Sequence, residues 1–553
     1  MKTGDKLKKI QALMVEHQLD VYLVPTTDPY LSEYPPDCYK RLKWLTGFSG
    51  SFGIAAIMAN GKHVLFTDGR YMLQASQQLD GELFKVENIS GLTLHEYPEI
   101  KNNCVGIDPW CHSASFVRKF TNVVSIQENL VDSIWQDRPE MPCSDVVDYS
   151  MEYAGVSRQD KMNQLISVMN ENAVDACLLT APDSICWLLN IRGRDVACTP
   201  LVLCYALIYA DGRAEVYLDK DRLKVDFNND IEIISPKELI NLNKKLKNKR
   251  IMVDEVSLPY WFSEHLSGIE TINKQDPCQL LKSCKNDKEI SWMRATHKKD
   301  GEVVWQCIEW IKEQVASKED ISELDVIEKL VQLRQTKEGF VEPSFDTICG
   351  FGSNGAIIHY KADERTNKVI QGSGLLLIDS GGQYLGGTTD ITRTIAIGKP
   401  MPDYIKHYTL VLKGHIALAM AKFPRGTSGS QLDILARQYL WQEGLDYDHG
   451  TGHGVGAYLG VHEGPARISK MPSKQELLPG MVLSNEPGYY VPNEYGIRIE
   501  SLVVVVEKED GFLGFDTLTK VPLEEELIDR SMLGDQELAW LDAYQQWCLD
   551  GSS

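Results

Sequence analysis

Leu375-Leu-Leu-Ile-Asp379-Ser-Gly-Gly-Gln-Tyr-Leu-Gly-Gly-Thr-Thr-Asp390-Ile-Thr-Arg-Thr394 is the stretch whose reading decides the fold of the C-terminal half. Its four leading aliphatic residues make a short buried strand. Asp379 closes that strand, and Ser380-Gly381-Gly382 follows as a turn signal. Thr388 to Thr394 reads as a returning strand that carries Asp390. A turn centred between Gln383 and Gly386 sets Asp379 and Asp390 across from one another. Like charges opposed on a sheet destabilise it. Buried together they are worse, and one carboxylate takes up a proton. A bound cation removes the conflict.

The same arrangement recurs downstream. Met481-Val-Leu-Ser-Asn-Glu486 reads as one strand and Arg498-Ile-Glu500-Ser-Leu-Val-Val-Val505 as the next. With a turn around Pro492-Asn493-Glu494, Glu486 faces Glu500. Two hairpins thus each present a carboxylate pair. Hard oxygen ligands in this number suit Mn, Co, Zn or Mg, and one added imidazole favours a transition metal. Between the hairpins lies His449-Gly-Thr-Gly-His453-Gly-Val-Gly456. His449 and His453 have the spacing of a helical zinc pair, but glycines at 450, 452, 454 and 456 oppose a helix. A close-packed loop or strand bearing one metal ligand, with the second histidine near the substrate, is the better reading. His462, in Val461-His-Glu-Gly-Pro465, is another candidate. Gly452-x-Gly454-x-x-Ala457 formally matches a dinucleotide fingerprint, but no helix follows it convincingly.

Upstream, the chain alternates helix and strand signals. Leu7, Ile10, Leu13 and Met14 fall at helical spacing, and Val21-Tyr-Leu-Val24 reads as a buried strand ending at Pro25. The pattern returns 155 residues later. Met162, Leu165, Ile166 and Met169 form a helical stripe before the strand Ala176-Cys-Leu-Leu179. Asp20 then maps to Asp175 and Asp28 to Asp183, and a tryptophan segment follows each copy, at Trp44 and at Trp187. Two homologous α/β domains in tandem are expected, with boundaries giving domains 1–155, 156–288 and 289–553. The third domain opens with a helix capped by Asn286 or Asp287, with Glu289 in its first turn. Ile290, Met293, His297, Val304, Ile308 and Ile311 mark one of its faces. From about Gly372 to Val506, short apolar strands alternating with glycine-rich turns are expected.

Composition narrows the partners. At 553 residues the chain is long enough for several domains, and 43% hydrophobic with 24% charged residues is ordinary for a globular protein. A net charge of −21 disfavours nucleic acid and anionic membranes, which attract cationic surfaces. The 13 cysteines are scattered without a Cys-x-x-Cys pair, which fits a reducing compartment. The lysine-rich start runs into an amphipathic helix with no apolar signal core, and no membrane-length apolar run exists. A cytoplasmic location is expected.

These motifs resemble the pita-bread metallopeptidases, and within them the three-domain Xaa-Pro aminopeptidases. The resemblance covers nearly the whole chain. It rests on Ile378-Asp-Ser-Gly-Gly-Gln-Tyr384, Gly387-Thr-Thr-Asp-Ile-Thr-Arg-Thr394, the two histidine motifs, Ser484-Asn-Glu-Pro-Gly-Tyr-Tyr490 and Gly496-Ile-Arg-Ile-Glu500. Phe66-Thr-Asp-Gly-Arg-Tyr71 and Trp187-Leu-Leu-Asn-Ile-Arg-Gly193 are similar to segments outside the catalytic domain. Leu385-Gly386 departs from the Lys-Asp common in that turn.

The resemblance implies an α/β (α+β) chain of two creatinase-N-terminal-like domains followed by a pita-bread catalytic domain. It implies Asp379, Asp390, His453, Glu486 and Glu500 as ligands of two divalent ions, Mn(II) first with Co or Zn as alternatives. It implies His359, His449, His462 and Glu486 as catalytic, and His359, His449, His462 and Arg498 on the substrate side. Arg498 would support the ligands beside Glu500. The implied reaction is release of the residue preceding a penultimate proline by a hydroxide shared between the metals. Glu486 would shuttle the proton and His462 would stabilise the oxyanion. Peptides are the implied partners, with a homodimer as the assembly. A prolidase limited to dipeptides is the rival within the same chemistry, and a non-catalytic binding module the rival outside it.

Overall fold

A computed structural model of the chain describes residues 1–89, 91–227 and 230–550. It divides into two compact units: residues 1–150 with 156–279, and residues 151–155 with 280–553. No described helix is long and apolar enough to cross a membrane.

In the first unit, α1 (Thr3–Glu16) buries Leu7, Ile10 and Met14 along one stripe. The strands β1 (Val21–Pro25), β2 (Ile54–Met58), β3 (His63–Thr67), β4 (Phe84–Asn88), β5 (Val105–Ile107) and β6 (Val123–Ser125) form one sheet in the order β4-β3-β2-β1-β5-β6. After α2 (Arg158–Glu171) come β7 (Ala176–Leu179), β8 (Tyr205–Tyr209), β9 (Ala214–Tyr217), β10 (Ile231–Ile234), β11 (Arg250–Val253) and β12 (Glu270–Asn273). They assemble as β10-β9-β8-β7-β11-β12, the same order. The strand senses repeat too: β1 and β7 each run antiparallel to the next strand and parallel to the one on their other side.

The duplication reaches single atoms. Asp20 accepts the Cys104 N–H at 2.9 Å, and Asp175 accepts the Arg250 N–H at 2.7 Å, each at the start of the parallel neighbour strand. Asp28 and Asp183 match in position only. Asp28 caps its own turn through the N–H groups of Tyr30 and Ser32, whereas Asp183 sits in the first turn of the helix Pro182–Leu188.

The second unit opens on α3 (Asp287–Ala316). Asn286 and Glu289 form a reciprocal capping box at its start. Met293, His297, Val304, Ile308 and Ile311 are buried along it. Residues 151–155 lie against this helix: the Trp292 indole donates to the Glu152 carbonyl at 2.8 Å. Then follow α4 (Glu323–Gln335), β13 (Phe340–Pro343), β14 (Ile348–Phe351), β15 (Gly374–Ser380), β16 (Gly382–Tyr384), β17 (Gly387–Thr388) and β18 (Ile391–Ile397). Strands β14, β15 and β18 form one sheet, and β13, β16 and β17 another. Leu376 and Ile378 of β15 pack with Ile391 and Ile395 of β18 against α3 and α4. Leu375 and Leu377 turn to the other face with different neighbours, as does Asp379 by the two-residue period of a strand.

Two helices interrupt the expected run of short strands: α5 (Pro402–Ala419) and α6 (Gly429–Gln442). Tyr408 to Leu412 of α5 are buried in succession, and that run obscures the helical period in the sequence. Beyond them lie β19 (Gly452–Gly454), β20 (Glu463–Ile468), β21 (Val482–Asn485), β22 (Gly488–Val491), β23 (Tyr495–Arg498), β24 (Ser501–Glu507), β25 (Leu513–Thr517) and α7 (Asp535–Leu549). The short strand Lys422–Phe423, β25, β24, β21, β19 and β20 form, in that order, the last large sheet, with β22 and β23 as a separate ribbon. All 13 cysteines are free thiols.

Candidate active site

Register decides which carboxylates meet. In the β15–β18 pair, Asp379 faces Thr392 and Ser380 faces Ile391. Gln383 pairs with Thr388 and Tyr384 with Gly387, so the hairpin tip is Leu385-Gly386. Asp379 and Asp390 are therefore diagonal neighbours on one face, not the directly facing pair expected from the sequence. The shift is one residue in the turn centre, and it leaves both side chains on the same face. In the second hairpin, Asn485 faces Ser501 and Gly488 faces Arg498, which sets Glu486 opposite Glu500.

His453 lies at the centre of β19, between β20 and β21. Its Nε2 is 3.5 Å from Asp390 Oδ2 and 3.4 Å from Glu486 Oε1. Asp390, His453 and Glu500 each offer a ligand atom within 4.8 Å of the others. The Glu500 Oε2 accepts a hydrogen bond from the Thr392 hydroxyl at 2.8 Å. Its Oε1 and the Asp379 Oδ1 are buried without a hydrogen-bond partner among the described residues. Burial pushes the Asp390 carboxyl well above its ordinary range, and Asp379 and Glu486 push it further. Burial, then Asp390 and Glu486, do the same to Glu500. The Arg498 guanidinium beside these carboxylates is committed to Asp379 Oδ2 at 2.6 Å. Acceptor-only oxygens in excess, two of them orphaned, with an imidazole aimed among them, fit divalent cations.

Arg498 is 2% exposed, and its donors reach Asp379, the Tyr490 hydroxyl at 2.6 Å and the Thr392 hydroxyl at 3.2 Å. It touches Asp379 directly and reaches Glu500, beside which it was expected, through the Thr392 hydroxyl. Tyr490 links it to His449, whose Nε2 is 2.9 Å from the tyrosine oxygen. Arg498 can only donate, so Tyr490 accepts from it and donates its own proton to His449. The His449 Nδ1 then carries hydrogen and donates to the Gly450 carbonyl at 2.7 Å. These contacts fix the orientation of the His449 ring. Its Nδ1 is 3.9 Å from Glu486 Oε2. The half-buried His462 ring meets His453 edge to face at 4.3 Å. His359 is half-buried and follows Ile358, whose carbonyl lies 3.4 Å from an Arg498 nitrogen.

Three residues here escaped the sequence reading. Thr392 holds Glu500, Ser484 donates to Glu486 Oε1 at 3.0 Å, and Tyr490 bridges Arg498 to His449. Each had a signal. Thr392 and Ser484 stand two residues from Asp390 and Glu486, hence on the same strand face, and Tyr490 is diagonal to Arg498 across β22 and β23.

Known proteins resemble this chain in sequence and fold. Residues 291–507 match the family model of metallopeptidase family M24, and residues 511–553 the C-terminal region of peptidase M24. Residues 6–133 and 137–289 each match a creatinase/prolidase N-terminal domain. A probable Xaa-Pro aminopeptidase P of Aspergillus flavus is 37% identical over 98% of this chain and 89% of its own length. The crystal structure of an X-prolyl aminopeptidase from Caenorhabditis elegans, described as a cytosolic enzyme with a di-nuclear active site, superposes with a TM-score of 0.95 at 33% identity. It covers 100% of this chain and 96% of that one. An Xaa-Pro dipeptidase from Bacillus anthracis reaches a TM-score of 0.55 at 27% identity, with 66% of this chain spanning 99% of the dipeptidase.

Proposed function

The chain belongs to metallopeptidase family M24, and from that premise we propose that it is a metal-dependent aminopeptidase releasing the N-terminal residue from peptides with proline in second position. One observation carries the reading: a buried carboxylate cluster with orphaned oxygens around His453, in a chain that aligns end to end with Xaa-Pro aminopeptidases. The dipeptidase accounts for only two thirds of this chain, which favours the aminopeptidase over the prolidase. We assign a cytosolic location by likeness to the Caenorhabditis elegans enzyme, and domains 1–155, 156–288 and 289–553 and a homodimer on the sequence resemblance alone.

Asp379, Asp390, His453, Glu486 and Glu500 would hold two divalent ions, which we assign as Mn(II), with Co or Zn as substitutes. When bound, such ions polarise the scissile carbonyl and lower the pKa of an attacking water toward neutrality. The residues of the chain do the rest. Glu486, the most exposed of the four carboxylates, takes the water proton and delivers it to the leaving proline nitrogen. The proton lets that nitrogen leave as a neutral amine when the bond to the first residue breaks. His462 donates to the developing oxyanion. His359 and His449 wall the pocket for the proline ring. The Tyr490 hydroxyl and the Gly450 carbonyl hold His449 in a fixed orientation in that wall. Arg498 holds Asp379 in place.

The separating experiment is a substrate panel assayed with Mn(II). Xaa-Pro-Yaa tripeptides should lose their first residue, with Xaa-Ala-Yaa peptides cut far more slowly. A cleaved Xaa-Pro dipeptide beside an intact tripeptide would establish the prolidase instead.

A further inference from the structure

Beneath the β15–β18 hairpin, on the face away from the carboxylate cluster, lies an ion pair with no exposed surface. Arg334 of α4 grips Asp300 of α3 with Nε to Oδ1 at 2.8 Å and Nη2 to Oδ2 at 3.1 Å, and both side chains are 0% exposed. Stability alone is a weak reason for such a pair. An apolar pair of equal volume joins two helices about as well, since desolvation offsets much of the attraction between buried charges. What charges add is direction.

The directions here are specific. Arg334 Nη2 donates to the Ser380 hydroxyl at 3.1 Å, and the Thr389 hydroxyl donates to Asp300 Oδ2 at 2.6 Å. Ser380 follows Asp379 and Thr389 precedes Asp390. By strand alternation Ser380 and Thr389 face the helices while Asp379 and Asp390 face the site. The pair therefore grips both strands of the hairpin, one residue behind each acidic side chain. The Tyr384 hydroxyl, near the hairpin tip, donates to Asp300 Oδ1 at 2.8 Å. Between the two grips the strands close tightly. Gly381 has no room for a side chain, because an added Cβ would lie 1.9 Å from the Thr389 carbonyl oxygen.

We propose that Asp300 and Arg334 form a positioning pair that sets the spacing of the Asp379 and Asp390 carboxylates, and thereby the binding of the second of two divalent ions. This rests on the two-metal reading above. Neither residue touches substrate or metal; both act through Ser380 and Thr389.

Three variants test it by Mn(II) titration and electron paramagnetic resonance. Thr389→Val removes the grip on Asp300 with little change of shape, Thr389→Ser keeps the hydroxyl, and the double substitution Asp300→Leu/Arg334→Met replaces the pair with apolar volume. Wild type and Thr389→Ser should bind two Mn(II) and give the spectrum of an exchange-coupled pair. Thr389→Val and the double variant should bind the first ion as wild type does and the second roughly 10- to 100-fold more weakly, with the spectrum of uncoupled Mn(II). If the double variant fails to fold, Thr389→Val decides alone. Wild-type affinity for both ions and a coupled spectrum in Thr389→Val would overturn the proposal. Equal weakening of both ions would also overturn it, since that is what general loosening gives. Wild-type protein that binds fewer than two ions would contradict the two-metal reading itself.

Discussion

At the scale of residues, the site is a charge problem with one missing term. Asp390, Glu486 and Glu500 share a buried space while Arg498 is committed to Asp379. The folded-state Glu500 carboxyl titrates well above its usual range, so ionising it costs the fold free energy. That cost is absent below about pH 4.3, where the carboxyl is also protonated in the unfolded chain. It grows as pH rises and is complete above the folded-state value. Glu500→Gln should therefore do two opposite things at pH 8. Metal-dependent activity should fall by more than the roughly 100-fold that loss of a supporting partner costs. The metal-free variant should melt no lower than metal-free wild type. Retained activity in Glu500→Gln would remove Glu500 from the ligand set. His449→Ala tests the other side of the site. It should lower the rate by about 100-fold, the scale of a misplaced substrate, with metal content unchanged. Metal lost with His449 would mean that its role and that of His453 are exchanged.

At the scale of elements, what the sequence discloses depends on whether an element has a polar side. The start of α3 was legible from Asn286 and Glu289, and the duplication from Asp20 and Asp175, because those polar residues do fixed backbone work. Helix α5 was not legible, because the unbroken buried run Tyr408 to Leu412 obscures its period. The two-carboxylate hairpins were legible as hairpins, but the register of the first fell one residue off, because several glycines leave the turn centre ambiguous. Thr392, Ser484 and Tyr490 were missed for want of following the strand period away from the acidic residues. Helix α3 also carries a titrating element. His297 is fully buried, donates from Nδ1 to the Met293 carbonyl at 2.7 Å, and has Nε2 without a partner among the described residues. Burial pushes it down to about 4. The unfolded chain takes a proton near 6.5, so the stability it contributes is full above that pH and is lost as pH falls toward 4. From pH 7 to 5 wild type should lose about 2 kcal/mol relative to His297→Gln. Denaturant unfolding of both proteins at the two pH values measures this, and parallel losses would mean that His297 is solvated.

At the scale of the whole molecule, the N-terminal half supplies two copies of one sheet and the C-terminal half supplies the chemistry. Every proposed metal ligand stands on or beside a strand of the second unit, and those strands are mostly buried. Rigid strands suit a site that must keep several like charges close until cations arrive. The central claim is that those cations make this chain a proline-directed exopeptidase. Chelated protein, assayed on an Xaa-Pro-Yaa tripeptide while Mn(II) is restored stepwise, tests it most directly. The account predicts no cleavage after chelation and full release of the first residue at two equivalents of metal per chain. Undiminished cleavage by the chelated protein, or none with Mn(II), Co(II) or Zn(II), would contradict it.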